Sequence, residues 1–201
     1  YDIGKRMLSY DESLRILKET NALLEGHFIL SSGLHSKLYI QCAKLLSYPK
    51  KAEAICSSLC EKIVKIFDKI DIVLSPALGG LIAGYEIARQ LKSEAIFAER
   101  MHGKLVLRRG FKIKENSNVL IVEDVITTGK SALECSSIVK TNNANLVGYA
   151  CIIDRSSENI SIKDKIVSQL QFNLETFSED KLPEDLKKIQ PIKPGSRNLS
   201  K

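Results

Sequence analysis

Val119 to Ser131 reads VLIVEDVITTGKS. Its first four residues are apolar and three of them are β-branched, the mark of a short strand buried on both faces of a parallel sheet. Two acids, Glu123 and Asp124, close that run. Val125 and Ile126 follow, then the small polar stretch Thr127, Thr128, Gly129, Lys130 and Ser131, and from Ala132 the pattern becomes helical. The order strand, acid pair, polar loop, helix predicts a binding site. In open α/β sheets ligands collect beyond the carboxyl ends of the strands, and a helix start preceded by small residues offers free N–H groups to an anion. The loop is suited to a phosphate, and the carboxylates can accept hydrogen bonds from hydroxyls or help hold a cation. A phosphorylated sugar carries both kinds of group.

Other phosphate motifs fit poorly. Gly129-Lys130-Ser131 imitates the end of a Walker A loop, but Asp124 stands where that loop needs its first glycine. No G-x-G-x-x-G follows any candidate strand, which argues against a dinucleotide fold.

At 201 residues with 44% hydrophobic content, the chain is long enough for one well-buried domain. It shows no long apolar run, so neither a membrane span nor a secretory signal is expected. Five cysteines, Cys42, Cys56, Cys60, Cys135 and Cys151, are scattered through apolar segments without a C-x-x-C pair, which predicts buried thiols in a reducing cytoplasm. The net charge of +6 raises the question of nucleic acid, yet only 6% of residues are aromatic and the basic residues are spread out, so no nucleic-acid partner is expected. One basic cluster stands out: Arg100, Lys104, Arg108, Arg109 and Lys112 occur within thirteen residues that contain no acid, which suits a compact anion.

Around the opening stretch the periodicities alternate. Tyr10 to Leu24 predicts an amphipathic helix capped by Ser13 and ended by Gly26. His27 to Leu30 and Leu38 to Cys42 predict paired strands, and Pro49 begins a helix to Phe67. Strands follow at 71–74, 94–98, 119–122, 146–153 and 165–172, with helices at 81–91, 131–140 and 183–189. Such alternation implies a parallel, doubly wound α/β core. The chain divides into an N-terminal helix and hood (1–48), a core (49–175) and a C-terminal helix and tail (176–201) of one domain.

Two further loops end strands. Ser75 to Gly80 is small and glycine-rich, so backbone there could approach a pyrophosphate across a crevice shared with the acid pair. Glu99 to Phe111, ERMHGKLVLRRGF, predicts a hairpin with basic arms about Gly103. Its cations could neutralise a departing pyrophosphate, and a closing lid would exclude water. Arg155, at the end of the next strand, is the kind of bidentate donor that selects a carboxylate.

The opening stretch resembles the 5-phosphoribosyl 1-pyrophosphate (PRPP) motif of type I phosphoribosyltransferases. Gly26 to Ser36, the Ser75 loop, the basic hairpin, Glu123-Asp124, Asp154-Arg155 and the tail Lys193 to Arg197 stand in the order seen in orotate phosphoribosyltransferases. That resemblance implies the type I fold, a mainly parallel sheet flanked by helices with a small N-terminal hood. It further implies transfer of phosphoribose from PRPP to N1 of orotate, Mg²⁺ as cofactor held mainly through PRPP, and a cytoplasmic homodimer whose lids reach the partner's site. By resemblance Lys104 and Asp124 are the catalytic pair. Glu123 and Asp124 bind the ribose hydroxyls, Val125, Ile126, Thr127, Thr128, Gly129, Lys130 and Ser131 the 5′-phosphate, Arg100 and Lys104 the pyrophosphate, and Thr127 and Arg155 the orotate. The chain departs from the enteric form of the family, which has lysines where Ser31 and Gly79 stand. A transferase for another base would share the opening stretch but should lack the hood and Arg155, and a PRPP-sensing regulator of nucleic acid would keep the loop but should add a DNA-binding helix pair or an RNA surface, neither of which is evident.

Overall fold

The structure, a computed structural model, describes residues 6–30, 32–157 and 160–194. Ser31 and the tail residues Gly195, Ser196 and Arg197 lie outside them.

The strands β3 (Ile72–Pro76), β4 (Glu94–Met101), β5 (Lys104–Leu107), β6 (Asn118–Ile126), β7 (Asn145–Asp154) and β8 (Ile166–Gln171) form one sheet in the order β5-β4-β3-β6-β7-β8. All neighbours are parallel except the hairpin β4–β5. From β3 the chain turns to one side for β4 and then returns to the other for β6, so the strand order reverses between β3 and β6. A crevice opens at the carboxyl ends of strands where this happens.

The opening stretch behaves as its composition predicts, because β6 is covered on both faces. Leu120 and Val122 join the core beneath helices α3 (Pro49–Ile63) and α4 (Gly80–Leu91), while Val119 and Ile121 join the core beneath α5 (Lys130–Thr141). Burying one such side chain contributes about 1.5–3 kcal/mol. The strand does not stop at the acids, however. It runs on through Glu123, Asp124 and Val125 to Ile126, because β7 continues beside it and supplies partners as far as Asp154. All five cysteines are buried, and none of them is in a disulfide.

The N-terminal part departs from its reading at both ends of the first helix. Helix α1 (Tyr10–Glu19) is capped by Ser9, whose hydroxyl accepts from the Glu12 amide while Glu12 accepts from Ser9 in return. Ser13, expected as the cap, is buried; it donates to the Ser9 carbonyl and accepts from Gln169. The helix ends at Thr20, and Leu23 and Leu24 open strand β1 (Leu23–Ile29), with Gly26 inside the strand at a break in register. Apolar residues fit either period locally; pairing with β2 (His35–Ile40) decides between them. A short helix α2 (Cys42–Leu46) precedes α3.

The hood is not purely N-terminal. Strand β9 (Thr176–Phe177) adds to β2, and Ile192 exchanges backbone hydrogen bonds with His27 and Ile29. The buried His27 ring completes the join: its Nδ1 donates to the Ile189 carbonyl at 2.8 Å, and its Nε2 shares a hydrogen bond with His35 Nδ1 at 2.6 Å.

Candidate active site at the carboxyl edge of the sheet

Two loops meet across the crevice. The first, Ala77 to Gly79, follows β3 and leads into α4; its Ala77 amide donates to the Ala98 carbonyl of β4 at 2.8 Å. The small residues there are a condition of the close approach. A Cβ on Gly79 would stand 2.8 Å from Asp124 Oδ1, and one on Gly80 would stand 2.9 Å from the Val122 carbonyl. Both distances are shorter than real Cβ contacts, so the glycines let the first loop lie directly against the acid pair.

The second loop, Thr127 to Gly129, follows β6. Thr127 and Thr128 are exposed, and Gly129 adopts φ +74 as the cap of α5, a conformation that suits glycine. Gly129 has no side chain with which to cap α5; the Lys130 amide donates to Thr128 Oγ1 at 3.4 Å and the Ala132 amide to Glu123, so the start of α5 lies between the loop and the acids. That is the geometry of an anion site, with the helix dipole behind it.

Between the loops stand the acids. Glu123 accepts from the Ala132 amide, and Asp124 Oδ1 accepts from the Val125 amide at 2.9 Å. Burial and the neighbouring Asp124 charge push the Glu123 carboxyl up to about 7, and burial likewise raises Asp124. Neither carboxylate forms an ion pair among the described residues. The pair is therefore an uncompensated pocket of carboxylate, ready for hydroxyl donors or a positive charge.

Arg155 lies just past the end of β7, and its amide donates to the Ile126 carbonyl at 2.8 Å, which sets it beside Thr127. Its Nε is buried without a hydrogen-bond partner among the described residues, and burial depresses its pKa. A buried N–H left without an acceptor is costly unless a ligand completes it.

The basic hairpin is formed as read, turning on His102 and Gly103, which both adopt positive φ. Its cations are not all alike. Arg109 forms a bidentate pair with Glu99, at 2.9 and 3.0 Å. Arg100 is paired with Glu134 of α5 at 3.1 Å. Lys104 is exposed and forms no ion pair among the described residues. Sequence reasoning overlooked Glu134, which in the sequence is one more acid on an amphipathic helix.

Among the described residues no helix is long and apolar enough to cross a membrane. A sequence profile of the family described as "Phosphoribosyl transferase domain" matches residues 46–180. The chain is 47% identical over 190 residues to an orotate phosphoribosyltransferase of Caldicellulosiruptor bescii, covering 94% of this chain and 99% of that one. It is also 47% identical over 192 residues to an orotate phosphoribosyltransferase of Methylorubrum populi, covering 95% and 98%. Among solved structures it is similar to the orotate phosphoribosyltransferase of Aeropyrum pernix, with TM-score 0.69, 25% identity, and coverage of 79% of this chain and 92% of that one.

Proposed function

The chain belongs to the orotate phosphoribosyltransferases, and from that premise we propose how its residues divide the reaction. The enzyme transfers phosphoribose from PRPP to orotate, forming orotidine 5′-monophosphate and pyrophosphate in pyrimidine biosynthesis. The observation that carries the assignment of roles is the convergence of three complementary groups on one crevice: a helix start led by glycine, two carboxylates without an ion-pair partner among the described residues, and an arginine whose buried Nε has no acceptor.

The Thr127 to Ser131 loop and the first amides of α5 hold the 5′-phosphate. Glu123 and Asp124 accept the ribose hydroxyls, whose donors favour the ionised carboxylates that burial disfavours. Asp124 thereby holds the sugar in line as the bond from C1 to pyrophosphate lengthens toward an oxocarbenium-like state. Arg155 pairs with the orotate carboxylate beside Thr127 and orients N1 toward C1. Lys104 neutralises the leaving pyrophosphate. No covalent protein intermediate is needed.

The residues also fit a divalent cation. Two half-buried carboxylates adjacent in sequence suit Mg²⁺, and no cluster of three ligating side chains occurs among the described residues, so the remaining ligands would be PRPP oxygens and water. When bound, that ion supplies charge neutralisation of the pyrophosphate.

A homodimer with shared lids accords with the same electrostatics, since Arg100 and Arg109 are taken up by Glu134 and Glu99 of their own chain. Leu78, Ile82 and Tyr85, which are 84%, 54% and 64% exposed beside the crevice, offer an apolar stripe on which the second copy would seat. Five buried reduced thiols accord with the cytoplasm. Mixing Lys104→Ala chains with Asp124→Asn chains tests the sharing: hybrid dimers regain activity if Lys104 serves the partner's site, and stay inactive if it serves its own.

A further inference from the structure

Glu134 lies one turn into α5, the helix that opens at the phosphate loop, and its carboxylate reaches both arms of the basic hairpin. On β4 it accepts from Arg100, with Nη1 at 3.1 Å from Oε2 and 3.3 Å from Oε1, and Nη2 at 3.3 Å from Oε1. On β5 its Oε2 accepts from the Leu105 amide at 3.1 Å. Arg100 Nη1 also donates to the Gly103 carbonyl in the turn at 2.7 Å. One side chain thus ties together the helix, both strands and, through Arg100, the turn between them.

We propose that Glu134 is a positioning residue for Lys104, and that Arg100 acts as its partner in this staple rather than as a contact to pyrophosphate. Leu105 is the residue next to Lys104, and β5 is an edge strand whose outward amide has no neighbouring strand to receive it. Anchoring that amide fixes the backbone from which Lys104 projects. A simple edge cap would need only one acceptor. Glu134 also binds the guanidinium through both Nη atoms, and Nη1 is shared with the Gly103 carbonyl, so drawing Arg100 fully onto a pyrophosphate would weaken the tie between helix and hairpin. Lys104 forms no ion pair among the described residues, so the staple holds one cation and presents another. Lys104 and Lys130 line the same groove of about 710 Å³ between hairpin and helix, so the hairpin is fixed on the element that carries the phosphate loop.

The inference rests on the assignment of Lys104 to pyrophosphate and of the 127–131 loop to phosphate. Without the staple the hairpin samples many directions, and a displacement near 1 Å costs up to roughly a hundredfold in rate. The loss should fall on the PRPP side of the reaction. Steady-state kinetics on the full chain test this with Glu134→Ala, Arg100→Ala and their double variant. We expect each single variant to lose roughly ten- to hundredfold in kcat/KM for PRPP, the double to be no slower than the slower single, and KM for orotate to be unchanged. The exchange Arg100→Glu with Glu134→Arg should recover activity relative to either single charge reversal. If Glu134→Ala fails to fold by circular dichroism, Glu134→Gln keeps the acceptor for Leu105 and removes the ion pair, and should give the same split with a smaller loss. Three results would overturn the proposal: Glu134→Ala lowering Tm with kinetics unchanged, Arg100→Ala losing far more than Glu134→Ala with multiplying effects, or an exchange variant no better than the single reversals. A wild-type enzyme that consumes no orotate with PRPP would instead overturn the underlying reading of the site, and the variants are compared only with an active wild type.

Discussion

Replacing Glu123 by glutamine is expected to make the ligand-free protein more stable in alkaline solution and to erase the acid limb of its PRPP kinetics. The Glu123 carboxyl is raised from 4.5 to about 7 by burial and by Asp124. The native state therefore holds this proton more tightly than the unfolded chain does. Stability from the group is fully present below pH 4.5 and is lost as pH rises through about 7. At roughly 1.4 kcal/mol per tenfold change in proton affinity, the loss reaches about 3 kcal/mol above pH 8, and stays under about 1 kcal/mol at pH 5. Glutamine keeps an oxygen for the Ala132 amide and carries no charge, so it escapes the loss. For a chain of this size, about 2–4 °C in Tm accompanies each kcal/mol, which places Glu123→Gln on the order of 8 °C above wild type at pH 8.5 and close to it at pH 5. Thermal melts across pH measure this directly. In the enzyme the sign reverses, because the ionised carboxylate is the better acceptor for ribose hydroxyls. Wild-type kcat/KM for PRPP should rise with pH through about 7, as Glu123 ionises, and the variant should be slower and lack that limb. Parallel stability curves for the two proteins, or an acid limb that survives the substitution, would refute the reasoning.

Other substitutions separate the remaining roles. Lys104→Ala should lower turnover roughly a hundredfold, the usual cost of one lost electrostatic donor, with Tm unchanged because the side chain is exposed; near wild-type turnover would remove it from the mechanism. Arg155→Ala should raise KM for orotate roughly ten- to hundredfold, the value of a charged hydrogen bond, while KM for PRPP stays put, as initial-rate kinetics with each substrate varied would report. Gly79→Ala places a Cβ 2.8 Å from Asp124 Oδ1, so the carboxylate must leave its position against the Val125 amide; PRPP binding by calorimetry should weaken by roughly tenfold, a loss of about 1.4 kcal/mol, in a chain that still folds.

How far these features could be read in the sequence depended on whether their cause was local. Val119 to Val122 announced a strand buried on both faces, and the acid pair with its loop announced the ligand edge, because strand order and helix start are written side by side. The hairpin about Gly103 was legible for the same reason: His102 and Gly103 supply the two positive φ values that its turn needs. What depended on distant partners was not. Leu23 and Leu24 fit a helix or a strand until Ile40 and Tyr39 are opposite them. Thr176 and Phe177 carry no mark of joining β2, yet they carry the C-terminal segment into the hood. His27 and His35 are eight positions apart across a turn, and only the folded chain brings their rings to 2.6 Å. Glu134 shows the limit most clearly, since nothing around it in sequence indicates that Arg100 and Leu105, some thirty residues earlier, will meet its carboxylate. Even so, Asp154 and Arg155 were legible at the carboxyl end of the strand after the acid pair, and the parallel register sets Asp154 beside Ile126, just before Thr127.

The most direct measurement is the loss of orotate absorbance when PRPP and Mg²⁺ are added to the purified protein, with adenine, uracil and hypoxanthine in parallel. Orotate alone should be consumed, in step with pyrophosphate release, and Arg155→Ala should abolish the preference. Consumption of another base in place of orotate, or no PRPP-dependent loss of any base, would contradict the proposed function.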